Sequence, residues 1–423
     1  MTPDQHVLDE LEWRGLIAHS TDLDALRAEM NEGAIKVYVG FDPTAPSLHI
    51  GSLLQILTVR RLQDAGHKPY GLVGGATGMI GDPKEAGERK MNSLDTVNEW
   101  SAKVRAQLEQ FLSFEGSNAA TVVNNYDWTA SLSVIEFLRD IGKHFPVNRM
   151  LAREVVKSRL ESGISYTEFS YVLLQSMDYL NLHRDFGVTL QTGGSDQWGN
   201  LTAGVELIRR VEGARVNAFA TPLVTKADGT KFGKTESGTV WLDESMTSPY
   251  AFYQFWLNQD DRDVVQLLKY YTFRTREEIE DLARQTEEKP FLRAGQRALA
   301  DDVTSLTHGP QETERIKAAA AALFGSGELA DLSPETLGAA LHEAGSVEVK
   351  RSDGIPSIVD LLVESGLVAS KGAARRTIGE GGAYLNNQRI EDPEFTPGES
   401  DLIADSWLVL RRGKKNLAGV EVV

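Results

Sequence analysis

Residues 35–51 read Ile-Lys-Val-Tyr-Val-Gly-Phe-Asp-Pro-Thr-Ala-Pro-Ser-Leu-His-Ile-Gly. Ile35 to Phe41 is an apolar run with strand character, and the prolines of Asp42–Ser47 make the next residues a loop. From Ser52 to about Ala65 the apolar residues Leu53, Leu54, Ile56 and Leu57 suit a helix. The unit is thus strand, loop, helix. Working outward, Pro69–Gly75 reads as a second strand, Ser93–Phe114 as a helix and Thr121–Val123 as a third strand. Strands alternating with helices predict a parallel α/β sheet, with ligands gathered beyond the ends of its strands.

The rest of the chain extends this pattern. Val7, Leu8 and Leu11 predict an amphipathic N-terminal helix. The stretch from about Trp128 to Ser162 reads as a helical insertion. A helix follows near Tyr166–Asn181, then a short strand at Val188–Gln191, a glycine-rich turn at Gly193-Gly194-Ser195 and a helix from about Asn200. Lys226–Gly238 is polar, glycine-bearing and aperiodic, which predicts a mobile loop. Pro249 to about Gly345 is largely helical, and Val349–Pro356 reads as a linker. The tail from Ser357 has a helix with Ile358, Leu361 and Leu362, a basic helix over Lys371–Ile378, and a hairpin at Tyr384–Ile390 turning on Asn386-Asn387. The expected organisation is therefore an α/β domain over 1–225, a lysine loop at 226–240, a helical domain at 241–348, a linker at 349–356 and a small α+β domain at 357–423.

Composition narrows the chemistry. The chain has 423 residues, 41% hydrophobic and 25% charged, which suits a globular protein with sizeable cores. Cysteine is absent, which removes disulfides, thiolate nucleophiles and Cys-ligated metals. No apolar run is long enough for a membrane span, and the N-terminus lacks an apolar signal core, so a cytoplasmic protein is expected. The net charge of −17 repels nucleic acid at long range, so any RNA contact must use local basic patches. Lys371, Arg375 and Arg376 form one such patch, and Arg411, Arg412, Lys414 and Lys415 another; a solvated surface is the plainer reading of each.

Four stretches carry residues suited to chemistry, and each admits a structural reading. In Asp42–Gly51, Thr44 and His49 can donate to phosphate at a helix start that Gly51 leaves open; such loops are also common connectors. In Gln191–Asn200, Asp196 can accept from ribose hydroxyls and Gln197 can donate to a carboxylate; the same residues also suit a capped tight turn. Lys226, Lys231 and Lys234 sit in a glycine-bearing segment that can act as a cation clamp or simply be solvated. Its glycine spacing is not that of a Walker loop. Tyr171, Gln175 and Asp178 lie on one face of an apolar helix, where partners must come from other side chains or a ligand.

Taken together, these stretches resemble the bacterial tyrosyl-tRNA synthetases, a class I aminoacyl-tRNA synthetase family, nearly end to end. Tyr38-Val-Gly-Phe-Asp-Pro-Thr with Ser-Leu-His-Ile-Gly51 is similar to the family's first signature, and Lys231-Phe-Gly-Lys-Thr235 to the second. Gly194-Ser-Asp-Gln-Trp-Gly-Asn200 and the Tyr171/Gln175/Asp178 spacing resemble the tyrosine enzymes in particular. The resemblance implies a Rossmann-like catalytic domain, a helical domain on the anticodon side and a small RNA-binding module like one in a ribosomal protein. It implies that Tyr38 and Asp178 bind the phenol, that Tyr171, Gln175 and Asp82 hold the ammonium, and that Gln197 faces the carboxylate. Gly40, Asp42, Thr44, His49, Gly51, Ser52, Gly194 and Asp196 would line the ATP site, with Lys231, Lys234 and Thr235 closing over pyrophosphate. Thr44, His49, Lys231 and Lys234 would be the catalytic group, Mg²⁺ would accompany ATP with no metal site of the protein's own, and a homodimer would bind the tyrosine tRNA. One position departs from the pattern: the second histidine of the first signature is Ser52. Serine donates a hydrogen bond but carries no charge, so the ATP contact there is expected to be rearranged.

The implied reaction fits the residues. The substrate carboxylate is itself the nucleophile on the α-phosphate of ATP, so no protein nucleophile is needed. What is needed is positioning and cations for the leaving pyrophosphate. A phenol needs both a donor and an acceptor, which Tyr38 and Asp178 supply, whereas the indole of a tryptophan enzyme on the same scaffold needs only an acceptor. The tyrosine enzymes are themselves the standing illustration that such a site rejects phenylalanine, by about 10⁵-fold and without editing. Two other readings compete: a non-catalytic RNA-binding relative, at which only Ser52 hints, and a nucleotidyltransferase, which leaves the basic tail unexplained.

Overall fold

The structure, a computed structural model, describes residues 6–83, 92–227, 229–230, 232–235, 238–323, 329–413 and 416–423. Its contacts divide the chain into two units, 1–246 with 260–295, and 247–259 with 296–423.

The first unit is built on a six-stranded sheet of β1 (His19–Ser20), β2 (Lys36–Phe41), β3 (Lys68–Val73), β4 (Thr121–Asn124), β5 (Leu190–Gly194) and β6 (Asn217–Thr221). The spatial order is β1-β6-β5-β2-β3-β4, parallel throughout except for the antiparallel edge β1. The expected α/β class is therefore what forms. Val37, Tyr38 and Val39 are buried in succession because helices cover both faces of a parallel sheet. The helix Ile50–Asp64 follows β2, Leu94–Phe111 follows β3 and Tyr166–Phe186 leads into β5. Their starts are capped locally: the Ser93 hydroxyl accepts from Thr96 N–H, and Ser165 from Glu168 N–H. Gly187, with φ 67°, closes the long helix in the left-handed region.

Several segments differ from their sequence reading. β6 and β1 carry no periodicity to reveal them, since all five residues of β6 are buried and β1 is two residues long. The insertion forms as separate short turns, among them Tyr126–Thr129, Val134–Glu136, Val147–Leu151 and Glu154–Lys157, interrupted by Pro146. The 226–238 stretch is not without regular structure. β7 (Lys234–Thr235) pairs antiparallel with β8 (Gly238–Thr239), strands too short to leave an alternating pattern.

The expected helical block 241–348 is shared between the units. Asp261–Tyr271 and Arg276–Glu288 belong to the first. Two buried arginines explain this. Arg14 donates to the carbonyls of Lys269 (2.8 Å), Thr272 (3.0 Å) and Arg274 (2.6 Å), and its Nε to Glu10 (2.7 Å). Arg61 donates to the carbonyls of Tyr270 (3.0 Å) and Thr272 (2.7 Å). Burial, with Arg14 nearby, pulls its guanidinium down to about 9. Both cations thus satisfy the carbonyls at a helix C-terminus.

In the second unit the helices Pro249–Leu257, Pro310–Leu323 and Pro334–Ala344 precede a five-stranded sheet. Its strands are β9 (Ser346–Val349), β10 (Ala383–Leu385), β11 (Gln388–Arg389), β12 (Trp407–Arg412) and β13 (Asn416–Val422), in the order β11-β10-β12-β13-β9. The anticipated linker therefore begins inside a strand: Val349 pairs with Val422, and Trp407 packs against Gly338 of the preceding helix. The hairpin turns where expected, with Asn386 at φ 48° and Asn387 at φ 66°, as a two-residue turn requires. Ile358, Leu361 and Leu362 join Ala374, Ile378, Leu408 and Leu410 in the core beneath the basic helix Lys371–Gly379.

Arg14→Met should destabilise the first unit by on the order of 3 kcal/mol, because its three carbonyl partners and Glu10 lose a buried donor. Denaturant unfolding checks this, and a loss no larger than that of an exposed arginine would contradict the role.

Candidate active site

The C-terminal ends of β2 and β5 open onto a cleft of about 520 Å³ in the first unit. Tyr38 reaches it from β2; Tyr171, Gln175 and Asp178 reach it from the helix Tyr166–Phe186. Gly40, Asp42, Thr44, His49, Gly51, Ser52, Asp82, Gly194, Asp196 and Gln197 line the same cleft. The expected site residues that can be described in this unit are thus brought together. Lys231, Lys414 and Lys415 lie outside the described residues, as do the side chains of Lys234 and Thr235.

At the floor, Asp178 is 2% exposed. Its Oδ2 accepts from Asn125 Nδ2 and its Oδ1 from Trp128 Nε1, each at 2.9 Å. Burial pushes the Asp178 carboxyl up to about 7; those two hydrogen bonds pull the other way, and Asp42 adds to the rise. Tyr38, 1% exposed, packs against Tyr179 with ring centroids 5.2 Å apart. Its hydroxyl has no hydrogen-bond partner among the described residues, and burial, with Asp178 next, pushes its pKa well up, so it stays a neutral donor and acceptor.

A second carboxylate ties the floor together. Asp42 Oδ2 accepts from the Tyr171 hydroxyl (2.7 Å) and Oδ1 from Thr77 Oγ (2.6 Å). Thr77 Oγ in turn accepts from Asn125 Nδ2 at 2.9 Å. Asp42 therefore points toward the aromatic pocket, where the sequence reading had placed it with ATP. Gly74 makes room for it, since a Cβ there would lie 2.0 Å from Asp42 Oδ1.

A third carboxylate, Asp82, accepts from Gln197 Nε2 (2.8 Å) and Asn200 Nδ2 (3.2 Å), while Asn200 Nδ2 also reaches Gln197 Oε1 (2.8 Å). Gln175 Oε1, Gln191 Oε1 and Thr192 Oγ are buried along the cleft with no hydrogen-bond partner among the described residues. Buried polar groups are rarely left so, and here they face space that a polar ligand would fill.

The other end of the cleft is the start of the helix Ile50–Asp64. The His49 ring folds back so that Nδ1 accepts from Gly51 N–H at 3.0 Å. With Nδ1 accepting, the proton of the neutral ring sits on Nε2, which makes that nitrogen a donor. Glycine is required at 51 because a Cβ would meet His49 Cε1 at 2.8 Å. The β7–β8 hairpin closes on this terminus. Ile50 N–H donates to Val240 O at 3.2 Å, a Cβ on Gly233 would lie 2.8 Å from Ile50 Cγ1, and the Tyr271 hydroxyl donates to Ile50 O at 3.1 Å. Gly233 of the second signature thus packs beside the Ile50 side chain of the first, and Val240 bridges their backbones by accepting from Ile50 N–H and donating to Gly233 O, at a helix N-terminus suited to phosphate.

Sequence reasoning missed Thr77, Asn125 and Trp128. None belongs to a motif, and only the packing of three separated segments shows their purpose. In the second unit, Lys371 pairs with Asp360 (2.6 Å), Arg375 lies 3.8 Å from Glu394, and Arg411 stacks over Tyr384 at 4.8 Å. Arg376 is exposed, and Arg412 donates to Leu367 O at 3.0 Å.

A family profile described as class I tRNA synthetases (W and Y) matches residues 30–325, and one described as the C-terminal domain of SYY-like tyrosine–tRNA ligases matches residues 338–420. A tyrosine–tRNA ligase of Streptomyces coelicolor is 61% identical over 419 residues, covering 98% of this chain and 99% of that protein. One from Acidothermus cellulolyticus is 58% identical over 422 residues, with 98% and 99% covered. The crystal structure of a C-terminally truncated mitochondrial tyrosyl-tRNA synthetase from Coccidioides posadasii superposes with a TM-score of 0.66 at 31% identity, covering 74% of this chain and 92% of that one. Sequence, fold and cleft agree: this chain belongs to the class I tyrosine–tRNA ligase family.

Proposed function

We propose that the cleft selects L-tyrosine by its phenol and activates it with ATP, as follows. The observation that carries the reading is the buried pair at the floor, Tyr38 with an unpartnered hydroxyl and Asp178 held by Asn125 and Trp128. Asp178 accepts from the phenol and Tyr38 completes its hydrogen bonding. Phenylalanine would leave both unpaired. Tyr171, Gln175 and Asp82 hold the ammonium, and Gln197 faces the carboxylate, which attacks the α-phosphate. Thr44, His49 Nε2 and the helix start with Gly51 and Ser52 meet the phosphates; Gly40 and Gly194 allow close approach, and Asp196 takes the ribose. Lys231 and Lys234 neutralise the departing pyrophosphate, and the Thr235 hydroxyl binds ATP beside them. Ser52, in place of a second histidine, contributes a neutral hydroxyl, and the exposed helix terminus supplies positive potential.

Mg²⁺ enters with ATP, carried by phosphate oxygens and water. Among the described residues no group of three His, Asp or Glu side chains is arranged to hold a metal. The tyrosyl group then passes to the tyrosine tRNA, with Lys371, Arg375, Arg376, Arg411, Arg412, Lys414 and Lys415 giving the acidic chain its local RNA contacts. A homodimer is supported by the exposed apolar side chains of the insertion, Val134, Ile135, Val147 and Leu151. A cytoplasmic location suits a translation enzyme in which no described helix is long and apolar enough to cross a membrane. The tryptophan alternative is set aside, since the near full-length relatives above are tyrosine enzymes.

Pyrophosphate exchange into ATP, run with each amino acid and no tRNA, should respond to tyrosine alone; a response to tryptophan would overturn the assignment. Asp178 titrates near 7 in the free protein and binds the phenol ionised, so tyrosine affinity should fall up to about tenfold per unit as pH drops below 7. Asp178→Asn should flatten that profile and relax discrimination against phenylalanine. The unliganded protein should show the converse, its stability from this group being full below about 4 and lost as pH rises through about 7. Lys234→Ala should slow adenylate formation by about 10²-fold with tyrosine affinity retained. Arg375→Glu with Arg376→Glu should impair tRNA charging while sparing exchange, and equal loss of both would remove those residues from RNA binding.

A further inference from the structure

Arg153 is an unexpected cation beside the pocket assigned to a substrate ammonium. It sits between the short helices Val147–Leu151 and Glu154–Lys157 of the insertion, far in sequence from either signature. Its Nη2 donates to Asn200 Oδ1. Its guanidinium lies across the backbone of Gly199, where a Cβ would come within 3.3 Å of Nη2 and 3.4 Å of Nε. Asn200 is 2% exposed, so its carbonyl oxygen needs a buried donor, and Arg153 supplies one. With Oδ1 engaged, Asn200 Nδ2 is turned to Asp82 Oδ1 and Gln197 Oε1. That in turn directs Gln197 Nε2 to Asp82 Oδ2. The donor order runs one way, from the guanidinium through two side-chain amides to a carboxylate. Flipping either amide would set a carbonyl oxygen against Asp82 or an amide NH₂ against Arg153.

We infer that Arg153 is a positioning residue for amino-acid recognition, orienting Asp82 and Gln197 through Asn200 without touching the substrate. The inference rests on the assignment of Asp82 and Gln197 to the ammonium and carboxylate of tyrosine. Its positive charge is tolerable there because it is spent on the Asn200 carbonyl and faces Asp82, so the ammonium meets a fixed carboxylate. Only the polar end of the substrate should sense Arg153. The phenol end is organised by Asp178, Asn125 and Trp128, whose hydrogen bonds among the described residues do not reach Arg153, Asn200 or Gln197.

The test is equilibrium binding to the full-length protein of L-tyrosine and of 4-ethylphenol, which keeps the phenol and lacks both charged groups. Arg153→Met, which preserves the aliphatic stem, should weaken tyrosine by about tenfold and leave 4-ethylphenol within about twofold. Retained 4-ethylphenol binding also reports that the variant is folded. Arg153→Lys, with one donor in reach of Asn200, should recover most of the loss. Arg153→Met combined with Asn200→Ala should bind tyrosine no worse than Asn200→Ala alone, because both act in one chain. Unchanged tyrosine binding in Arg153→Met, additive losses in the double variant, or equal weakening of both ligands would overturn the inference. Asp82→Ala separates the two levels. If it weakens tyrosine while Arg153→Met does not, only the role of Arg153 falls; if Asp82→Ala has no effect, the assignment of the cradle falls as well.

Discussion

A carboxylate buried away from water is the constraint around which this active site is organised. Asp178 has too little solvent to be ionised cheaply, and it is held poised by two hydrogen bonds, from Asn125 and Trp128. Those donors arrive from the segment after β4, while Asp178 comes from the helix before β5 and Tyr38 from β2. The floor of the cleft therefore exists only when three elements pack correctly. Under the proposed assignment, specificity for a phenol follows from the same fact, since a ligand without a hydroxyl would leave the buried pair unsatisfied.

Three of the carboxylates that line the cleft differ in how they are supported. Asp178 is fixed by an amide and an indole, Asp42 by two hydroxyls, and Asp82 by two amides. Each has its donors supplied by the protein, so orientation is set before a ligand arrives. The phosphate end works by other means. A helix N-terminus, a histidine tautomer set by Gly51 N–H and a short hairpin come together at that end. An acidic protein can thus bind a polyanion, because the relevant potential is that of one helix end and a few lysines rather than the net charge of −17.

Much of this was legible in the sequence because it is local. The strand at 36–41, the helix after it and the hairpin on Asn386-Asn387 each announce themselves through periodicity or turn chemistry within a few residues. The helix spacing of Tyr171, Gln175 and Asp178 likewise places them on one face by geometry alone. The residues that line the cleft were named from motifs that lie along the chain.

What tertiary structure decided is what depends on partners distant in sequence. β6 is a central strand, yet Asn217–Thr221 has no alternation to betray it, because burial on both faces erases the polar side. The Asp42 carboxylate accepts from Tyr171 and Thr77, donors that come from two other elements and that no local pattern announces. The helices 261–271 and 276–288 lie in the first unit, where Arg14 and Arg61 hold the carbonyls of Lys269, Tyr270, Thr272 and Arg274, at the end of the first helix and in the turn between the two, from more than two hundred residues away in the chain. A strand at 346–349 replaced the end of the expected helical block and the first residue of the expected linker, because β13, the last strand, supplied its ladder. Local propensity determined which elements form; long-range hydrogen-bond satisfaction determined which side chains meet, and it is that second choice that gives the cleft its chemistry.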